Sequence, residues 1–176
     1  IGKINNPNCF IENERSGDIS YHHDLSYKES AKEIIRHMEE GCQIAKKYHL
    51  PDAVINMIRS HHGTTQTGYF YTKYLNEGGD PDAAADFTYN GILPSTKEEA
   101  ILMLADGVEA ASRSMKELTD ESISKLVEGI VAKRMADGQL AKADLTFKEI
   151  DLMKSLFKDY LAQVHNHRIA YPKKNV

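Results

Sequence analysis

Three histidines and one aspartate carry the strongest chemical signal in this sequence. His61 and His62 are adjacent, and His61 follows Ile58 by three residues and Val54 by seven, while His62 follows Ile58 by four. That spacing continues the buried face of one helix with both imidazoles. Burying two neighbouring imidazoles costs desolvation unless their nitrogens find partners, and one divalent cation can serve both. The competing account is a surface pair at a helix C-terminus, interacting with its dipole. His37 falls three residues after Ile34 and four before Gly41, on the flank of another apolar stripe, where a hydrogen-bonded core histidine is the plainer alternative to a ligand. Asp106 lies within Ile101, Leu102, Met103, Leu104, Val108 and Ala111. A carboxylate in such a setting needs a counter-charge, from a metal or from Arg113 two turns on. Arg113 could equally form an i, i+4 pair with Glu109. Taken together, three imidazoles and a carboxylate from three separate segments are a donor set that Mn, Fe or Zn accepts, and metal-assisted hydrolysis is the chemistry they suggest.

The elements that must position these groups read as helices. Ser26-x-x-Glu29 is a capping box, and Ala31, Ile34, Ile35, Met38, Cys42 and Ala45 follow at helical spacing up to Tyr48. Pro51 suits the first position of a second helix, with Val54, Ile55 and Ile58 inward and Gly63 as the stop after His61-His62. Residues 64–94 hold Tyr69, Phe70, Tyr71, Tyr74, Phe87 and Tyr89 among Gly, Asp and Pro, which predicts a short helix inside a long, partly irregular excursion. A third strong helix starts at the Ser95/Thr96 cap and runs to about Met115, apolar on nearly every side. Two amphipathic helices follow, one capped near Thr119 and one boxed by Thr146-x-x-Glu149. Residues 1–25 lack periodicity and read as loop with a helical turn. The fold class is all-α, a helical bundle, and with no repeat or linker residues 1–176 read as a single domain.

Composition narrows the function classes. Net charge is −4 at pH 7, and the only basic cluster is the tail Arg168, Lys173 and Lys174, so no DNA or RNA partner is expected. Cys9 and Cys42 match no C-x-x-C pattern and suit a reducing cytosol better than a disulfide framework. No apolar run reaches membrane-spanning length and no leader pattern opens the chain, so the piece is expected to be soluble by itself. It begins on Ile1 rather than Met, and is read as a fragment of something longer.

Ile1-Gly2-Lys3 resembles the tail of the His-Asp-x-Gly-Lys signature of the HD-domain phosphohydrolases, with the His-Asp dyad just missing. Phe10-Ile11-Glu12-Asn13, His23-Asp24-Leu25, Ser30-Ala31, Ile34-Ile35-x-His37, His61-His62-Gly63-Thr64-Thr65, Tyr69-Phe70-Tyr71, Ser95-x-Lys97-Glu98 and Leu104-Ala105-Asp106-x-Val108-Glu109-Ala110-Ala111 narrow the likeness. With the closing Arg168-Ile169-x-Tyr171-Pro172, they resemble the seven-transmembrane HD receptor family of cyclic di-AMP phosphodiesterases. The likeness covers nearly the whole chain.

That resemblance implies an HD helical bundle holding two divalent metal ions, Mn or Fe, with His37, His61, His62 and Asp106 as ligands. A further histidine and the His-Asp dyad would lie upstream of Ile1, so the 176-residue piece alone is expected to be weakly active or inactive. The implied reaction is hydrolysis of cyclic di-AMP to linear pApA in bacterial second-messenger signalling, by the cytoplasmic domain of an inner-membrane protein whose spans lie outside this chain. Asp106 and Lys3 are the implied catalytic residues, Lys3 by stabilising phosphate or leaving-group charge. Thr64, Thr65, Tyr69, Lys97 and Arg113 are candidate substrate contacts, with Phe70, Tyr71 and Tyr89 as further aromatics able to stack on adenine or simply pack. His23-Asp24 looks like the metal dyad but matches a later segment of the branch, and it is not assigned as a ligand. A homodimer is compatible with the sequence. The alternatives are an HD phosphohydrolase for another nucleotide and a non-catalytic cyclic-dinucleotide sensor.

Overall fold

A computed structural model describes residues 1–10, 20–115 and 117–166. The motif residues within 11–19 and 167–176 lie outside the described residues. Among the described residues six α-helices dominate: α1 (Tyr27–Lys47), α2 (Asp52–Ser60), α3 (Gly68–Asn76), α4 (Lys97–Arg113), α5 (Asp120–Ala136) and α6 (Phe147–Asn166). Short 3-10 turns at Gly2–Ile4, Pro7–Cys9 and Pro81–Phe87 complete the order.

Local chemistry sets most of the boundaries. At the start of α1 the Ser26 hydroxyl accepts from the Glu29 N–H while the Glu29 carboxylate accepts from the Ser26 N–H, so two otherwise orphaned donors are satisfied reciprocally. Thr146 and Glu149 form the same box at α6. Thr96 caps α4, and Thr119 caps α5 with Ser122 as the reciprocal partner. The second helix differs from the sequence expectation at both ends. Pro51 is its N-cap with extended backbone, and the helix stops at Ser60 with His61 as C-cap. Both histidines therefore sit just past the last helical residue, with their ring centroids 4.0 Å apart and tilted by 39°.

Two apolar clusters hold the helices together. Leu104 and Val108 of α4, Ile123, Val127 and Val131 of α5, and Ile150, Met153 and Leu161 of α6 form one. Ala31 of α1, Phe70 of α3 and Phe87 form the other, with Tyr27, Ile34, Tyr71 and Tyr74 packed against it. Helix α4 is less uniformly buried than its composition predicts: Met103 and Leu104 are inside, but Ile101 and Leu102 are exposed. The outward face is apolar without being core.

Residues 63–67 and 87–92 run past each other between the clusters. Gln66 and Thr88 form an isolated antiparallel bridge, the Tyr89 N–H donates to Thr65 O (2.8 Å), and the Gly91 N–H donates to Gly63 O (3.1 Å). A Cβ at Gly91 would stand 2.5 Å from the carbonyl oxygens of Arg59 and Gly63, so only glycine permits this approach. The pairing carries Tyr89 over the histidine pair.

Candidate metal centre

His37 of α1, and His61 and His62 at the end of α2, converge so that one ligand nitrogen from each lies within 4.8 Å of the others. Two of the three rings are fixed by backbone. His37 Nδ1 lies 2.5 Å from Ile34 O, and His61 Nδ1 lies 2.8 Å from Ile58 O. A carbonyl can only accept, so each Nδ1 carries the proton and each Nε2 is left with a bare lone pair. Those two Nε2 atoms face each other at 3.2 Å.

Two neutral imidazoles in this tautomer cannot hydrogen-bond to one another, and protonating one is disfavoured. Burial, the largest cause, pushes the His37 imidazolium down to about 4. Burial likewise lowers His61 and holds His62 well below the ordinary histidine range. The remaining solution for two facing lone pairs is a cation between them, and the carbonyl-anchored Nδ1–H is the arrangement that orients a metal-binding histidine. Asp106, from α4, brings an Oδ2 to 3.8 Å from His62 Nδ1, with its side chain 31% exposed. The three imidazoles fit a borderline transition ion in both donor type and spacing, and Asp106 adds a carboxylate of suitable donor type beside His62.

Around this cluster the walls divide the labour. A cavity of about 410 Å³ is bounded by Ile1, Gly2, Lys3, His37, His61 and Asp106 among others. The 3-10 turn at Gly2 is pressed on α1 so tightly that a Cβ there would fall 1.7 Å from His37 O, and this close approach brings Lys3 to the cavity wall. Lys3 also lies 4.7 Å over the Phe10 ring. On the far side Tyr89 stacks on His62 at a centroid distance of 4.2 Å and 21°, which holds the ring without using a nitrogen. Tyr69, about half exposed, lines a second cavity with His37, His62 and Asp106.

The other candidates are distributed unevenly. Thr65 donates its hydroxyl to His62 O (2.7 Å) and Gln139 donates to Thr64 Oγ1 (3.0 Å), so both hydroxyls brace the histidine turn. Lys97 pairs with Glu149 of α6 at 2.5 Å, and Arg113 pairs with Glu109 at 2.5 Å; neither lines the cavities that border the histidines. Arg113 thus takes its i, i+4 partner and is not the counter-charge of Asp106. His23 and Asp24 pair with each other in solvent, 70% and 93% exposed, apart from the cluster.

Two residues of the site escaped sequence reasoning. Gln139 is buried and accepts from the Thr64 N–H at 3.0 Å, a contact between distant segments with no local signature. Arg134 did leave one: it follows Val131 by three and Ile130 by four, a cation continuing an apolar stripe.

Gly63 locks the turn. Its φ is +55°, and an added Cβ would meet Gln139 Oε1 at 2.3 Å and Met103 Cε at 2.8 Å. Gly63→Ala is expected to destabilise the fold by at least the ~1–2 kcal/mol of left-handed strain, measured as a lower urea midpoint at unchanged slope.

The HD domain family matches residues 14–111, and the chain belongs to that family. It is 39% identical over 173 residues to the cyclic-di-AMP phosphodiesterase PgpH of Bacillus subtilis, covering 98% of this chain and 24% of the relative. Against the PgpH of Listeria monocytogenes the identity is 38% over 172 residues, covering 98% and 24%. The chain therefore spans about a quarter of the length of these curated relatives. The crystal structure of the L. monocytogenes PgpH HD domain superposes with a TM-score of 0.85 at 36% identity, covering 93% of this chain and 76% of that one. The same domain in complex with cyclic-di-AMP gives 0.86 at 36%, covering 97% and 78%. Among the described residues, no helix is long and apolar enough to cross a membrane.

Proposed function

We propose that this chain is the metal-binding part of a phosphodiesterase that hydrolyses cyclic di-AMP to linear pApA, within a longer membrane-anchored protein whose HD unit faces the cytoplasm. The observation that carries the reading is the pair of carbonyl-anchored histidines presenting bare Nε2 lone pairs to each other at 3.2 Å beside Asp106. The relatives named for this reaction, and the related domain solved with cyclic-di-AMP, support the substrate class.

His37, His61, His62 and Asp106 are the ligands this chain contributes. The remaining histidine and the His-Asp dyad belong upstream of Ile1, and the placement of Ile1, Gly2 and Lys3 on the cavity wall supports this. Two manganese or iron ions there would supply the positive charge that acidifies water and neutralises phosphate oxygens. The chain's own groups do the rest. Ile34 and Ile58 carbonyls hold the imidazole tautomers, and the Tyr89 ring fixes His62. Lys3 offers a cation on the cavity wall for phosphate or leaving-group charge, and the half-exposed Tyr69 offers a ring for a base.

Base selectivity is the discriminating test, because metals read phosphate and only the walls read adenine. The full-length protein with manganese is expected to turn over cyclic di-AMP at least about tenfold faster than cyclic di-GMP, the scale of one differing base contact. Equal rates would remove the adenine assignment and leave a general HD phosphohydrolase.

A further inference from the structure

Arg134, near the end of α5, is a second feature of this neighbourhood, beside the facing histidines, that folding alone does not explain. Burial pulls its guanidinium below the ordinary arginine range, and its Nε is buried without any hydrogen-bond partner. No ion pair or side-chain hydrogen bond engages it among the described residues. The neighbouring Lys133, by contrast, is paired with Asp137 at 3.1 Å. A partly desolvated cation with no anion in ion-pair contact is a net destabilising feature.

Its location suggests what the anion would be. Arg134 lines a cavity of about 480 Å³ together with His62, Tyr89, Asp106 and Gly107. A Cβ built at Gly107 would lie 3.7 Å from Arg134 Nη2, so the guanidinium lies over the α4 backbone one residue from Asp106, where the absence of a side chain leaves its face open. It is close enough that its charge lowers His62, while Asp137, Asp106 and Tyr89, in that order, act on it in turn. The cavity is thus shared between the candidate metal ligands on one wall and an unengaged planar donor on another.

We infer that Arg134 binds a phosphate oxygen of the nucleotide substrate in the cavity it shares with His62 and Asp106. Arginine suits this task because its fork of N–H donors matches two phosphate oxygens at once and its charge survives burial. The inference rests on the site handling a phosphate ester but not on which base it carries.

The test follows the arginine Nε–H resonances of the metal-free protein while inorganic phosphate is added, with Arg134→Met used to assign the Arg134 signal. The Arg134 resonance is expected to move saturably, while those of Arg36 and Arg113, held by Glu40 and Glu109, stay fixed. Arg134→Met should weaken phosphate binding about 10- to 100-fold, the range of a charge-assisted hydrogen bond, with an unchanged or higher melting temperature. Arg134→Lys should recover part of the affinity. No movement of the signal, equal movement of all three, or unchanged phosphate affinity in a folded Arg134→Met protein would overturn the inference. Arg134-dependent phosphate binding in a protein that leaves cyclic di-AMP intact would uphold it and overturn the substrate reading instead.

Discussion

Asp106→Asn is expected to lower turnover of a cyclic dinucleotide by the full-length protein more than about 100-fold. Groups that merely support a metal ligand are typically worth ~10–100-fold, and Asp106 is proposed as a ligand in its own right, a carboxylate 3.8 Å from His62 of the three-histidine cluster. Asparagine keeps the shape of the side chain and removes its charge. Because Asp106 is partly exposed and packs no apolar core, the fold should survive, with a stability change within about 1 kcal/mol. Metal content measured on the purified variant should fall together with activity. Loss of activity with metal content and stability both intact would assign Asp106 to another role.

Acid should destabilise the metal-free protein earlier than its carboxylates account for. The His37 imidazole is held at about 4 against an ordinary 6.5, chiefly by burial, and His61 and His62 are lowered for the same first reason. Between those values the unfolded chain binds protons that the folded chain refuses, so stability is complete above pH 6.5 and declines as pH falls toward 4. At roughly 1.4 kcal/mol per pH unit, His37 alone is worth about 3 kcal/mol across that window. The lowered carboxylates Glu29, Glu128 and Glu149 are exposed and titrate below 4.5, which leaves the range from pH 6.5 to 4.5 to the histidines. Urea midpoints measured through that range should slope for the native sequence and flatten for His37→Gln. Manganese should oppose the loss near neutral pH, since a ligand that binds only the folded state stabilises it, by about 2.7 kcal/mol at a hundred times its Kd.

What could be read from the sequence follows from the range of the interactions involved. Capping boxes and 3.6-residue periodicity act within a few residues, so Ser26 with Glu29 and Thr146 with Glu149 mark helix starts where the structure has them. The histidine cluster was legible for a related reason: each member continues a local apolar stripe. Contacts made across the fold leave weaker traces. Lys97 reaches Glu149, 52 residues on, and this long-range pairing takes it away from the site. The stacking of Tyr89 on His62 depends on the pairing of residues 63–67 with 87–92, which no periodicity announces. Arg134 went unread although it stands as a charge on an apolar stripe, and only the packed structure shows its buried, unbonded Nε and the cavity it shares with Asp106.

The central claim is that the His37, His61, His62 and Asp106 cluster is a metal centre for phosphodiester hydrolysis. Its most direct test is conversion of cyclic di-AMP to pApA by the full-length protein, stripped of metal with a chelator and then titrated with manganese. The stripped protein is expected to give no conversion, added manganese to restore it to saturation, and Asp106→Asn to show no recovery. Conversion that persists in the stripped protein, or recovers equally without Asp106, would contradict the claim.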